Sequence, residues 1–206
     1  MTTMRRKPPK AMSLFTLFSY DVRAWKRFRF LGGSPNQDIP LALSEALRLT
    51  WYYPSLRAIF IYRLSHWCYR RHIRILPGML WRMNISRFGL DIIPSTSIGP
   101  GLYIGHPVGT VIMARGLGRN VSLLSAVTIG MRTTYEFPVI GNDVVIGAGA
   151  RILGGIVVAD GATIGANAVV IDDVAPGATM VGIPAKPIKP KEMNYTKQNM
   201  ETFYGS

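Results

Sequence analysis

Residues 139–174 read VIGNDVVIGAGARILGGIVVADGATIGANAVVIDDV. Within this stretch an aliphatic residue returns every six positions: Ile140, Ile146, Ile152, Val158, Ile164 and Val170. The next residue is often glycine or alanine, as at Gly141, Gly147, Ala159 and Gly165. A second set of small or branched apolar residues accompanies the first: Val144, Ala148, Ile156, Ala162, Ala168 and Val174. A period of six suits neither an amphipathic helix nor the alternation of a half-buried strand. It suits a solenoid of short strands and tight turns, each repeat burying its aliphatic residue against its neighbours.

Working outward, the same step joins Ile98 to Ile104 and Val121 to Val127. Two places break it. Between Ile104 and Val121 the register slips. From Val127 to Ile140 the step is 13, two repeats plus one, and the excess falls at Met131–Phe137. That segment is expected to leave the solenoid as a loop, and loops on a rigid scaffold are where binding and catalysis concentrate.

Before residue 90 the character changes. Residues 1–90 hold 16 Lys and Arg against 3 Asp and Glu, whereas residues 91–206 hold 8 of each. The excess of +13 therefore sits wholly in the first part, together with Trp25, Trp51, Trp67 and Trp81. Residues 14–31 and 41–89 carry helical apolar spacing, with Pro54 and Pro77 as helix starts. The chain thus divides into a disordered basic tail (1–13), an α-helical N-terminal domain (14–90), a β-solenoid domain (91–190) and a C-terminal tail (191–206). The apolar run Ala11–Tyr20 after Arg5, Arg6 and Lys7 is followed by charges rather than a small-residue cleavage site, which argues against a cleaved signal. No run of about 18 uncharged apolar residues offers a membrane span.

Cys68 is the single cysteine, which excludes an intramolecular disulfide. The histidines are His66, His72 and His106. The first two read as a helix–helix contact and a solvated surface. Only His106 falls in the solenoid, so a zinc site built from three histidines, as in a γ-type carbonic anhydrase, is excluded and no metal is expected.

The motifs YPSLRAIFIYRLSHWCY (53–69), LDIIPSTSIGPGLYIGHPVGTVI (90–112), SLLSAVTIG (122–130), VIGAGARILGGIVV (145–158) and VGIPAKPIK (181–189) resemble the serine O-acetyltransferase family of hexapeptide-repeat acyltransferases. The resemblance runs from about residue 42 to residue 190. It implies a left-handed parallel β-helix behind a helical N-terminal region, acetyl-CoA as co-substrate, and a homotrimer or a dimer of trimers with its site between subunits. It implies His106 as general base, oriented by Asp91 fifteen residues earlier. That pairing suits acyl transfer: histidine titrates near neutrality, and a carboxylate on its far nitrogen fixes the tautomer. An oxyanion donor is expected near Gly130. Coenzyme A is expected along Gly130, Ala148 and Ala166, with Lys186 near its phosphates.

The acceptor side departs from the family. Gly105 stands where the family has Asp before the histidine. Glu136 and Phe137 stand where it has Arg-His before Pro138, and Tyr53 replaces an aspartate that contacts the serine amine. An acid at 136 repels a serine carboxylate. The resemblance is therefore placed in the polysaccharide O-acetyltransferase branch, with Gly105, Glu136 and Phe137 as acceptor-side residues. A small-molecule or lipid-linked saccharide is expected as acceptor, and serine acetylation is the alternative. The basic, tryptophan-rich residues 1–90 fit peripheral contact with the cytoplasmic face of a membrane. No specific nucleic-acid partner is expected. A non-catalytic scaffold is the remaining reading, and retention of Asp91 and His106 weighs against it.

Overall fold

A computed structural model describes residues 12–30, 40–133 and 135–188. The expectations for residues 1–11 and 189–206 lie outside these.

Four helices come first: α1 (Leu14–Phe30), α2 (Leu43–Tyr52), α3 (Pro54–Arg70) and α4 (Leu76–Phe88). Pro54 and Pro77 fall in the first turns of α3 and α4, where the missing N–H costs no hydrogen bond. Ser13 Oγ accepts from the Thr16 amide at 3.1 Å and so caps α1. Gly89 ends α4 with φ +65°, a left-handed cap that favours glycine.

The first strand, β1 (Leu90–Ile92), follows at once. The rest of the chain coils through β2 (Tyr103–His106), β3 (Thr110–Ile112), β4 (Gly116–Leu117), β5 (Ser122–Ser125), β6 (Thr128–Gly130), β7 (Val139–Ile140), β8 (Val145–Ile146), β9 (Arg151–Leu153), β10 (Val157–Val158), β11 (Thr163–Ile164), β12 (Val169–Val170) and β13 (Thr179–Val181). These stack in parallel into three sheets. The first is β1-β3-β6-β9-β12, the second β4-β7-β10, and the third β2-β5-β8-β11-β13. Successive strands visit the sheets in rotation, so the chain forms a three-sided parallel β-helix of about five coils. The final strand, β14 (Lys186–Ile188), turns back antiparallel on β13.

The six-residue series points inward as expected. Ile140, Ile146, Ile152, Val158, Ile164 and Val170 are all buried. Each such side chain stabilises the fold by roughly 1.5–3 kcal/mol through apolar burial. Two details differ from the sequence reading. Leu117, Leu123 and Ile129 occupy the strand positions, whereas Val121 and Val127 fill the second buried position of their repeats. Counted from Ile129 to Ile140 the step is 11, so the loop adds five residues rather than one. Likewise Ala150, not Ala148, is the buried residue four positions after Ile146, and Ala148 lies half-exposed at a corner.

The helices are fastened to the first coil by a buried ion pair. Arg63 on α3 reaches Asp21 on α1 through Nε at 2.8 Å and Nη2 at 2.9 Å. The guanidinium also donates to the carbonyls of Ile98 and Gly99, while Asp21 Oδ1 accepts from the amides of Gly101 and Leu102. Burial pushes the Asp21 carboxyl up, against the opposing pull of the Arg63 charge. Every polar atom of the pair that faces the interior has a partner, which is what a buried charge requires.

Candidate active site

His106 ends β2. Its position is therefore set by the third sheet, at the edge where the chain crosses to the first. Strand register extends that position into a column. Ile104 pairs with Leu123, Leu123 with Ile146, and Ile146 with Ile164. Two residues beyond these lie His106, Ser125, Ala148 and Ala166, stacked along one edge of the prism. Small side chains there leave a shelf of accessible backbone running away from His106. The closing segment caps the far end: the Ala185 amide donates to Val169 O at 2.8 Å, and Lys186 follows on the exposed strand β14.

Asp91 approaches the same edge from the first sheet. The Gly109 amide donates to Gly89 O at 3.0 Å. Asp91 lies two residues after this bond's acceptor and His106 three before its donor. Asp91 alternates with the buried Leu90 and Ile92, so it faces outward. Its Oδ1 accepts from Trp81 Nε1 on α4 at 2.8 Å. No hydrogen bond joins it to the His106 ring, so the expected pair is brought to one edge without being closed.

His106 opens into a cavity of about 610 Å³ roofed by the helical domain. Trp25 and Arg29 come from α1, Tyr53 from the α2–α3 junction, and Arg87 and Phe88 from the end of α4. Tyr103 and Gly105 come from β2 itself. The rings hold one another: Trp25 and Tyr53 lie 4.0 Å apart between centroids, and Phe28 stacks on Tyr103 at 4.3 Å. Burial pushes the Tyr103 hydroxyl up, and the positive charge of Arg29 opposes this. A Cβ on Gly105 would stand 2.9 Å from the Leu124 carbonyl, so the position accepts no side chain without a backbone shift.

The other sequence candidates lie elsewhere. Gly130 ends β6, on the edge between the first and second sheets. The loop that follows carries Glu136 and Phe137 over the same edge, with the Glu136 carboxylate 2.9 Å from where a Cβ on Gly155 would be. Within one chain, neither Gly130 nor the Glu136–Phe137 pair enters the His106 cavity. His66 is a structural residue as expected, but its Nδ1 meets the Pro94 carbonyl at 2.8 Å rather than another helix. His72 is exposed. Sequence reasoning missed Trp81, Arg29 and Arg87. Each lies on a helix far from His106 in sequence and enters only through tertiary packing. Among the described residues no cluster of ligands fits a metal, and no helix is long and apolar enough to cross a membrane.

The bacterial transferase hexapeptide (six repeats) family matches residues 137–172. The chain is 39% identical over 140 residues to a serine acetyltransferase of Helicobacter pylori, covering 66% of this chain and 82% of that protein. It is 32% identical over 151 residues to the serine acetyltransferase of Synechococcus elongatus, covering 71% of this chain and 62% of that one, which is under two thirds of the relative's length. Soybean serine acetyltransferase solved with serine superposes with a TM-score of 0.74 at 34% identity, over 85% of this chain and 70% of that one. A serine acetyltransferase in complex with CoA superposes with a TM-score of 0.73 at 31% identity, over the same shares. These relatives correct the assignment to a polysaccharide branch, because the acceptor-side changes are few against a long matched scaffold. On fold, register and these matches, the chain belongs to the serine acetyltransferase family of hexapeptide-repeat acyltransferases.

Proposed function

We propose that this chain is an acetyl-CoA-dependent O-acetyltransferase, with His106 as general base and L-serine as acceptor. The observation that carries the reading is the small-residue column that starts at His106 and ends beneath the Lys186 segment. It supports a thioester delivered to the histidine by an extended arm laid along the edge at Ala148 and Ala166. Lys186 would meet the phosphates at the far end. The serine acetyltransferases matched here include one solved with serine and one with CoA, which supports both substrates.

The chemistry follows from the residues. His106 takes the proton of the acceptor hydroxyl as its oxygen attacks the thioester carbonyl. A C–O bond forms, the C–S bond breaks as the tetrahedral adduct collapses, and the imidazolium returns the proton to the leaving thiolate. Asp91, with Oδ1 occupied by Trp81, keeps Oδ2 for the far nitrogen of His106. No covalent enzyme intermediate is needed, and the buried Cys68 has no part. Gly130 and Glu136–Phe137 sit on a different edge from His106. A homotrimer, in which a neighbour's second edge meets this chain's first, would unite them and provide the oxyanion donor.

A sugar hydroxyl is the second reading for the acceptor. Tyr53, Gly105 and Glu136, which replace family residues that hold the serine amine and carboxylate, favour it. The test is CoA release from acetyl-CoA, followed with a thiol reagent, for L-serine and neutral sugars, with His106→Asn as control. Release that falls at least about a hundredfold in the variant supports the reading. Release unaffected by His106→Asn overturns it.

A further inference from the structure

The charged side chains that line the His106 cavity among the described residues are of one sign. Arg29 and Arg87 enter it from two helices, beside His106, Tyr53 and Tyr103, and no carboxylate of the described residues lines it. Neither arginine has an ion-pair partner among the described residues, whose pairs are Lys26–Glu45, Arg63–Asp21 and Arg119–Asp143. Both end their helices, a placement the helix dipole favours. The dipole does not explain why two separate helices deliver their terminal arginines to one cavity beside the proposed base. Of the two cavity positions where the family resemblance puts an acid, 53 is tyrosine, and 105 is a glycine with no room for a side chain.

We infer that this cavity recognises its acceptor by a carboxylate, held by Arg29 and Arg87, and that the described residues lining it in one chain offer no counter-charge to an acceptor's ammonium. The inference rests on the proposed acetyl transfer at His106 and narrows its acceptor. The ligand class is an alcohol bearing a carboxylate: a small hydroxy acid, or an acidic sugar whose ring stacks on the aromatic wall of Trp25 and Tyr53. The guanidinium fork matches a carboxylate with two parallel hydrogen bonds, and partial removal from water strengthens them. The cavity volume of about 610 Å³ accommodates either source. Serine carries the required carboxylate, and the described lining of one chain gives its ammonium no counter-charge.

The test uses the full-length protein and two readouts. Calorimetric titration compares glycerate with glycerol, glucuronate with glucose, and L-serine with serinol. The expected result is binding at least about tenfold tighter for each carboxylate than for its uncharged or cationic counterpart, and serine no tighter than glycerate. Arg29→Gln with Arg87→Gln should abolish that preference, and Arg29→Lys with Arg87→Lys should restore part of it. In CoA release, the glutamine pair should raise KM for the carboxylate acceptor about tenfold with kcat within about twofold. Equal binding of charged and neutral partners, or tighter binding of serinol than glycerate, overturns the inference. A preference for glucuronate over glycerate identifies an acidic sugar, and the reverse a small hydroxy acid. Carboxylate-dependent binding without His106-dependent release overturns the transfer reading and leaves the anion site standing. Release indifferent to charge does the opposite.

Discussion

Trp81 Nε1 donates to Asp91 Oδ1 across 2.8 Å, tying the last helix of the N-terminal domain to the first strand of the solenoid. The bond fixes the carboxylate proposed to orient His106. Trp81→Phe keeps the ring and removes the donor. A hydrogen bond to a charged group contributes about 1.5–3 kcal/mol. If it acts by holding Asp91 in place, kcat for CoA release should fall about tenfold or more with KM little changed. A change confined to thermal stability would assign Trp81 a structural role alone.

The Asp21–Arg63 pair joins α1 and α3 to the backbone of the first coil. Asp21→Asn or Arg63→Met leaves a buried charge without its partner. Each should cost about 3–5 kcal/mol, read as a lowered midpoint in denaturant titration. The double replacement by apolar residues should be milder than either single change, because no unpaired charge remains.

His66 gives stability a pH dependence. Burial lowers its pKa, and the hydrogen bond to Pro94 O opposes this only in part. The folded state therefore binds the proton less readily than the unfolded state. The stability associated with neutral His66 is present above the unfolded value of about 6.5 and is lost as pH falls through the lowered folded value. Thermal melts between pH 8 and about 5 should show this loss, and His66→Gln should flatten that part of the curve. A variant with the same slope as the wild type would place the dependence on another group.

In the solenoid, Ile146→Ala should cost about 2–5 kcal/mol, since the side chain is fully buried between coils and the site cannot collapse around the void. Ala148→Ser, two residues on and half-exposed, should leave the melting temperature within a degree or two of the wild type. The contrast checks which member of the pair faces inward.

The repeat was legible because a β-helix writes its geometry into local spacing. Six positions separate Ile140 from Ile146 in sequence whatever the rest of the chain does. The earlier coils were harder to read, because the turn after His106 lengthens one step and the next is short. Val121 and Val127 therefore mimic the strand positions held by Leu117, Leu123 and Ile129. The pairing of Asp91 with His106 was an expectation from resemblance alone, since nothing in the interval between them tells which sheet each belongs to. The cavity was legible only in part, since Tyr53, Gly105 and His106 came through the resemblance and the helical arginines did not. Arg29 and Arg87 have no periodic relation to His106, and they meet it because Asp21 and Arg63 dock the helices onto the first coil.

The antiparallel return of β14 has a consequence at the opposite end of the molecule. A stack of parallel coils terminates in unpaired backbone, a template on which another chain could add strands without limit. Here β13 pairs with β14, whose Pro187 sits opposite Met180 and has no N–H to offer onward. The Ala185 amide occupies a carbonyl of β12 in the same way. The segment proposed to lie over the phosphates is thus also a polymerisation stop. A chain truncated before Gly182 should remain folded in its inner coils yet self-associate through its exposed last coil as its concentration rises.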